Sequence, residues 1–413
     1  MMRLLTLTEY QPTAGIELAL DELDGLRRMT TSITIAPSAM QPGLFDLTPA
    51  SWIGTINLGT LALEIRPKLP IDRVLFLLSY ALDPKRWRDI PFAYGERASL
   101  VEAIIPGFVH QVKRAFTRGL LQGYRIQEDA LATIRGRVRF EDQVRAHCGL
   151  LPPIEVRYDE FTEDIEENRL IKAAIERLSR LRIHSDASRH ALRTFDGALT
   201  LVSRKHYDVR QLPEIQYTRL NGHYRPAVEL AKLILRATSY ELGHGGIQAS
   251  TFLVDMNAVF EDFMVAALRE ALGISVREFP QGMRGRTNLY LDTARAIRLE
   301  PDISWWGGKR CLFVGDIKYK RIDAAGILHP DLYQLLAYTI ATGLPEGLLI
   351  YASGEDTPVV HEVIPPGKRL HVLTVDLRGT PDDILAQVRY VATSIRRLSL
   401  RSGSAARAVK PLT

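Results

Sequence analysis

Over the first hundred positions, apolar and polar residues change places in short runs. Ser32-Ile33-Thr34-Ile35 alternates, and Leu61-Ala62-Leu63-Glu64-Ile65-Arg66 alternates again before Pro67, so both are predicted as strands. Asn57-Leu58-Gly59-Thr60 has the composition of a turn. Ile71 to Ala81 places Val74, Leu75, Leu77 and Leu78 on one face with Asp72 in the first turn, which predicts a helix. From Val101 to Gln122 the period is helical, with a stripe of Ile104, Ile105, Phe108, Val109, Val112 and Phe116 that is expected to break at Pro106-Gly107. After a basic stretch, Arg135 to Arg139, the run Tyr158 to Asp164 reads as an acidic connection. It leads into a helix over Ile165 to Leu181, striped by Leu170, Ile171, Ala174, Ile175 and Leu178. A further helix is predicted over Gly222 to Thr238, and Gly243-His244-Gly245-Gly246 reads as a linker.

The last third changes character. Asp255 to Leu272 is an amphipathic helix stopped by Gly273. Two strands follow around Gly307-Gly308, then a helix from Asp331 to Thr342, a strand from Gly347 to Ala352 and another from Arg369 to Val375. Thr380-Pro381-Asp382-Asp383 opens a last helix with an N-cap, a proline at the first helical position and acids in the first turn. Helix, strands, helix, strand, helix predicts an α/β fold, a mixed sheet flanked by helices. The expected division is a β-rich domain over 1–100, a mainly helical region over 101–245 and an α/β domain over 246–413. The last dozen residues, with Arg401, Arg407 and Lys410 among Ser, Gly and Ala, are expected to form a mobile basic tail.

Composition narrows this picture. The 413 residues suffice for two or three domains, and 46% hydrophobic with 24% charged residues excludes a chain that is mainly disordered. A mean hydropathy of −0.05 and the lack of a long uncharged apolar run argue against a membrane span. The opening Met1 to Glu9 has no apolar core of a secretory signal, so a cytoplasmic location is expected. Cys148 and Cys311, the only cysteines, cannot build a disulfide framework or a four-cysteine zinc site. The net charge of +5 is compatible with a polyanionic partner.

The chemistry concentrates in Leu299-Glu300-Pro301-Asp302 and Cys311-Leu312-Phe313-Val314-Gly315-Asp316-Ile317-Lys318. Cys311 to Gly315 suits a strand buried on both faces, and its end carries a carboxylate and an ammonium at i and i+2, on one face. Unpaired charges buried there cost several kcal/mol, roughly, unless something binds them. A hard divalent cation such as Mg²⁺, or Mn²⁺ in its place, takes oxygen ligands, and Asp302, Asp316 and the Ile317 carbonyl supply them. Lys318 would then hold or activate an attacking water. A structural Asp-Lys pair at a strand end is the plainer alternative. Glu261, flanked by Phe260, Phe263 and Met264, is either a solvated helix acid or a further ligand for metal or water. Gln334 and Tyr338, at i and i+4 on one helix face, are either a half-buried tyrosine with its amide neighbour or a polar pair reaching the site and a DNA backbone.

The hairpin constrains this reading. A strict two-residue turn at Gly307-Gly308 pairs Asp302 with Phe313, which points away from the face of Asp316. A three-residue loop over Gly307 to Lys309 pairs Asp302 with Val314 and makes the carboxylates diagonal neighbours. An odd-length loop or a bulge between Asp302 and Asp316 is therefore expected.

Pro301-Asp302, Asp316-Ile317-Lys318 and Gln334-Leu335-Leu336-Ala337-Tyr338 resemble the motifs of PD-(D/E)xK nucleases of the RecB-like branch, and Glu261 stands where their order requires an acid. Further features resemble the nuclease subunits of McrBC modification-dependent restriction systems: Ile65-Arg66-Pro67-Lys68, Arg135-Gly136-Arg137, Phe161-Thr162-Glu163-Asp164 with Asn168-Arg169, Met256 to Glu261, and Asp316 to Lys320. The resemblance implies a PD-(D/E)xK core over 246–413 and Mg²⁺-dependent cleavage of double-stranded DNA bearing modified cytosine. It also implies an McrB-type AAA+ GTPase partner, contacted and stimulated through the N-terminal part. No G-x-x-x-x-G-K-[ST] loop occurs, so the chain is not expected to drive translocation itself. Two other readings remain: a RecB-like repair or defence nuclease without a motor, and a non-catalytic bridging subunit. His184, Asp186 and His190, the Arg204-Lys205-His206-Tyr207 cluster and the basic set Arg389, Arg396, Arg397 and Arg401 are read as solvated faces.

Overall fold

A computed structural model describes residues 3–29, 32–85, 87–89, 99–148, 151–181, 183–209, 211–237, 249–283, 288–319, 329–352, 359–363 and 367–408. Gly243 to Gly246 and Lys320, singled out above, lie outside the described residues.

The chain opens with β1 (Arg3–Thr8), β2 (Thr13–Ile16), α1 (Leu20–Arg27), β3 (Ile33–Pro37), β4 (Phe45–Pro49), β5 (Trp52–Leu58) and β6 (Leu61–Arg66). The alternating runs become strands because each buries one face: Leu61, Leu63 and Ile65 of β6 point into a core with Leu7, Leu26, Ile56 and Leu253. β1 pairs parallel with β6, and β6 antiparallel with β5. The fourth strand of this sheet is β10 (Ala249–Asp255), which pairs antiparallel with β5. β2, β4 and β3 form a separate three-stranded sheet.

Next come α2 (Ile71–Leu82), α3 (Leu100–Ala115), β7 (Gly123–Leu131), β8 (Arg137–Val138), α4 (Phe140–His147), β9 (Ile154–Thr162), α5 (Glu166–Ser179), α6 (Asp186–Ala198) and α7 (Arg225–Ala237). Two expectations are corrected here. α3 is one helix with Pro106 inside it, and it stops at Ala115 instead of running to Gln122. Ser99 caps its start by accepting from the Glu102 amide, and buried Ile104, Ile105 and Phe108 hold the turn that the proline weakens. Tyr158 to Asp164 is mostly strand, because β9 pairs along nine positions with β7. Two of the pairs join opposite charges, with Glu160 of β9 across from Arg125 and Arg157 of β9 across from Glu128. Asp164 then anchors α5: it takes two bonds from the Arg169 guanidinium, 2.7 and 2.6 Å, while Asn168 donates to the Leu121 and Glu163 carbonyls. Those bonds hold the Asp164 carboxyl well below the usual range, against the opposing effect of burial.

The remainder comprises α8 (Met256–Leu272), β11 (Leu289–Tyr290), β12 (Arg298–Leu299), β13 (Ile303–Gly307), β14 (Arg310–Lys318), α9 (His329–Thr342), β15 (Glu346–Ala352), β16 (Val359–Val363), β17 (Lys368–Val375) and α10 (Pro381–Ala408). Five strands form a mixed sheet in the order β13-β14-β15-β17-β16, parallel from β14 through β15 to β17 and antiparallel at both edges. Phe313 and Ile317 face α8 and α10, while Val314, Leu349 and Tyr351 face α9. The helix after Thr380 runs to Ala408. Ile53, Phe108, Ile171, Val228, Phe260 and Ile317 belong to one continuous apolar core. The architecture is mixed α/β, and no helix among the described residues is long and apolar enough to cross a membrane.

Candidate active site

The β13–β14 hairpin decides where the two central carboxylates point. Gly307 pairs with Arg310, so the turn has two residues, Gly308 and Lys309. Gly308 sits at φ +66°, a conformation open to glycine and costly for most side chains. Trp306 pairs with Cys311, but Trp305 pairs with Phe313, so Leu312 is an extra residue and the strand bulges. Ile303 lies opposite Gly315, and the next pair in that register is Asp302 with Asp316. Without the bulge Asp302 would fall opposite Gly315 and face away from Asp316. The expected parity device is thus present as a bulge, with the carboxylates directly opposed and not diagonal. Gly315 keeps the strands close, since a Cβ there would stand 2.7 Å from the Leu348 carbonyl oxygen.

Asp302 is pinned at the mouth of the hairpin. Its Oδ2 accepts the Ile317 amide at 2.8 Å, and its carbonyl accepts the Gly282 amide at 3.0 Å. Asp316 is fully buried, and its Oδ1 has no hydrogen bond. Lys318 Nζ lies 2.5 Å from Asp316 Oδ2 as an ion pair and 3.9 Å from Asp302 Oδ2. Burial pushes the Asp316 carboxyl up, the Asp302 charge adds to the effect, and Lys318 offsets part of it, which leaves the group at about 7. Asp302 is raised by burial in the same way, against the pull of Asp316, Lys318 and the Ile317 amide. Burial opposes the charge on Lys318, but the two carboxylates more than compensate and raise it.

Glu261 stands on α8 within electrostatic reach of Asp316 and Lys318, and burial raises its carboxyl. Its Oε1 accepts from Gln281 Nε2 at 3.0 Å, and the same amide donates to Asp262 at 2.6 Å. Among the described residues no three His, Cys, Asp or Glu side chains are arranged to hold a metal ion. The fit for a hard cation therefore rests on the facing pair Asp302 and Asp316 and on the buried Oδ1 of Asp316, which has no hydrogen bond, an oxygen set suited to Mg²⁺ or Mn²⁺.

Gln334 and Tyr338 of α9 are brought together: the Gln334 amide donates to the Tyr338 hydroxyl at 2.7 Å, and that hydroxyl donates to the Glu300 carbonyl at 3.0 Å. Tyr338 is buried and Gln334 exposed, so the pair braces the Glu300-Pro301-Asp302 turn from the helix. Two residues escaped sequence reasoning. Asp331 is buried, its charge raises Lys318, and it accepts from the Tyr351 hydroxyl at 2.7 Å. Gln281 links Glu261 to the segment that bridges Ile303 and holds the Asp302 carbonyl. An acid in the first turn of α9 was the only available signal for Asp331; nothing local marks Gln281.

A family model described as McrBC 5-methylcytosine restriction system component matches residues 47–352. A chain of a half-complex from a tetradecameric assembly of Thermococcus gammatolerans McrB AAA+ hexamers with bound McrC is 18% identical, with a TM-score of 0.53. The match covers 95% of this chain and 100% of that one, and at this identity the likeness is one of fold. A chain of the Thermococcus gammatolerans McrBC complex solved by cryo-EM is 19% identical over 66% of this chain and 89% of that one, with a TM-score of 0.41. No curated protein matches the chain.

Proposed function

The chain belongs to the McrBC family of 5-methylcytosine restriction system components, and from that premise we propose that it is the Mg²⁺-dependent DNA endonuclease subunit of a restriction complex. The observation that carries this reading is the opposed pair Asp302 and Asp316, set on one face by a bulge, with Lys318 paired to Asp316 Oδ2 and the buried Asp316 Oδ1 without a hydrogen bond. The β13 to α9 segment is read as the PD-(D/E)xK core, with Asp302, Asp316-Ile317-Lys318 and the Gln334–Tyr338 pair as its motifs.

Asp302, Asp316 and the Ile317 carbonyl would hold the cation, and Glu261, held by the Gln281 amide, would orient the attacking water. The cation, when bound, polarises a phosphoryl oxygen and neutralises charge gathering on the phosphate. Lys318 holds the attacking water against the phosphorus and stabilises the growing negative charge, which its raised pKa suits because it stays cationic. Tyr338 and Gln334 keep the Glu300 to Asp302 turn in place, so the Asp302 carboxylate does not swing away from Asp316. Asp331, held by Tyr351, adds negative potential that keeps Lys318 protonated.

The partner in this reading is an McrB-type AAA+ GTPase, engaged and stimulated through the residues before 246. The β7-β9-β8 sheet supports that role. The rings of Tyr124 and Phe161 lie 5.1 Å apart, tilted at 51°, on its surface, and Tyr124, Ile126 and Phe161 are exposed, an apolar face of the kind that marks protein contacts.

The test is cleavage of duplex DNA bearing 5-methylcytosine by the full chain with Mg²⁺, an McrB-type partner and GTP. Asp316→Ala and Lys318→Ala should each lower cleavage by about three orders of magnitude while partner GTP hydrolysis is still stimulated. Wild-type cleavage by Asp316→Ala would sink the nuclease reading. Full cleavage without partner or nucleotide would instead favour a stand-alone nuclease.

A further inference from the structure

Lys318 is the last paired residue of β14, opposite Tyr351, and the next residue leaves the sheet. No following pair in the sheet holds the backbone beyond Lys318, so its course there depends on what anchors Tyr319, while Asp316 and Asp302 hold the ammonium itself. Side chains alternate, so Tyr319 faces away from the carboxylates and toward the N-terminal sheet. It is 5% exposed, its ring lies 6.1 Å from that of Phe260, and its hydroxyl donates to Glu9 Oε1 at 2.9 Å.

Glu9 follows directly on β1 and is fully buried. Its amide donates to the Arg66 carbonyl at 3.0 Å, its Oε1 also accepts the Lys68 amide at 2.7 Å, and its Oε2 has no hydrogen bond. Lys68 Nζ lies over the ring of Tyr10, 4.1 Å from the centroid, and 5.4 Å from that of Tyr319. Beside this group Ser51 donates to Asp255 at 2.7 Å, and Asn257 donates to Ser51 at 2.6 Å. Asp255 caps α8, and Asn257 sits one turn before Glu261 on that helix. Two of the elements that carry proposed site groups, α8 and the end of β14, are thus fastened to the N-terminal part through polar contacts.

A carboxylate buried with one oxygen unbonded is a costly way to fill space, since an apolar side chain of similar size packs there without loss of hydration. The sites it joins explain its presence: Ile65-Arg66-Pro67-Lys68 and Tyr319 are remote in sequence and meet at this carboxylate. We propose that Glu9 and Tyr319 are positioning residues for Lys318, a buried joint through which the N-terminal sheet sets the active-site ammonium. The proposal rests on the nuclease reading above. It assigns the joint to the chemical step and not to DNA binding.

The experiment uses the full chain with its AAA+ partner, GTP, Mg²⁺ and 5-methylcytosine duplex, with wild type and Asp316→Ala as references. Tyr319→Phe keeps the ring and removes the hydroxyl; kcat for cleavage should fall about tenfold while KM for DNA stays within about twofold. Glu9→Gln keeps an oxygen for the Tyr319 hydroxyl and the Lys68 amide, and should retain most of the wild-type kcat. The thermal midpoint of each variant is read alongside. An unchanged kcat in Tyr319→Phe overturns the proposal, as does a fall that tracks only loss of folded protein. An equal loss in Glu9→Gln and Tyr319→Phe overturns it too, because hydrogen-bond geometry would not be the cause. If wild type and Asp316→Ala are equally inactive, the nuclease reading has failed, and the proposal falls with it.

Discussion

At Asp316, burial and charge act in opposite directions from what a free aspartate meets in water. Its carboxyl is raised from 3.8 to about 7 by burial and by Asp302, so the folded protein holds a proton that the unfolded chain has released. The sign follows: between about pH 4 and 7 the native state binds more protons, and stability falls as pH rises through that window, by at most about 1.4 kcal/mol per pH unit. With chelator present, wild type should melt progressively lower from pH 5 to 8, and Asp316→Asn should show a flatter profile and melt above wild type at pH 8. A wild-type midpoint that rises over this range would mean that Asp316 is not held protonated. Excess Mg²⁺ should lift the midpoint more at pH 8 than at pH 5, since the cation needs the carboxylate and the proton competes with it. At this same scale Asp302 and Lys318 were recognisable in the chain, because a proline-led acid and an i, i+2 acid and lysine at a strand end are local patterns. Gln281 and Asp331 were not, because each matters only through what folds against it.

The β13–β14 hairpin shows what an element adds to its residues. Whether Asp302 and Asp316 share a face depends on the parity of the residues between them, and Leu312 as the bulged residue sets that parity. Deletion of Leu312 should straighten the ladder, turn Asp302 to the other face and abolish Mg²⁺-dependent cleavage in a chain that still folds. Strong cleavage by that variant would show that the two carboxylates need not share a face. The turn has its own requirement: Gly308→Val should cost about 1–3 kcal/mol in thermal or denaturant unfolding, and Gly308→Asn much less, since Asn tolerates the left-handed region. α3 and β9 show the limits of local pattern. Pro106 suggested a break that burial of Ile105 and Phe108 overrides, and the acids of β9 resembled a connection because that strand carries charge on a face open to water.

In the whole molecule, the β-rich start and the α/β end are joined by more than a linker. β10 adds to β5 along seven positions, and Phe76 and Tyr80 of α2 each pack edge-on against Phe263 of α8 with ring centroids 5.4 Å apart. A fragment beginning at residue 246 would leave β10 without a partner strand and expose the face of α8 that carries Phe263. Such a fragment should show no cooperative thermal transition, and circular dichroism melting of purified 246–413 against the full chain is the check. A sharp transition near the full-length midpoint would show that the α/β part folds alone.

Periodicity along the chain was enough to place β6, α2, α8, α9 and the mixed-sheet strands β13, β14, β15 and β17 to within a few residues, because each buries a continuous apolar face and the pattern for that is local; β16 at the sheet edge was not read. Asp316 with Lys318, and Gln334 with Tyr338, were legible for the same reason: the spacing of each pair alone puts it on one face. Long-range packing decided the rest. Partner strands chose the bulge at Leu312, the sheet that β10 joins and the burial that lifts Asp316, since register and desolvation depend on residues distant in sequence. The meeting of Glu9 with Tyr319 spans 310 positions, and no local pattern encodes a contact between side chains that only the closed core brings together.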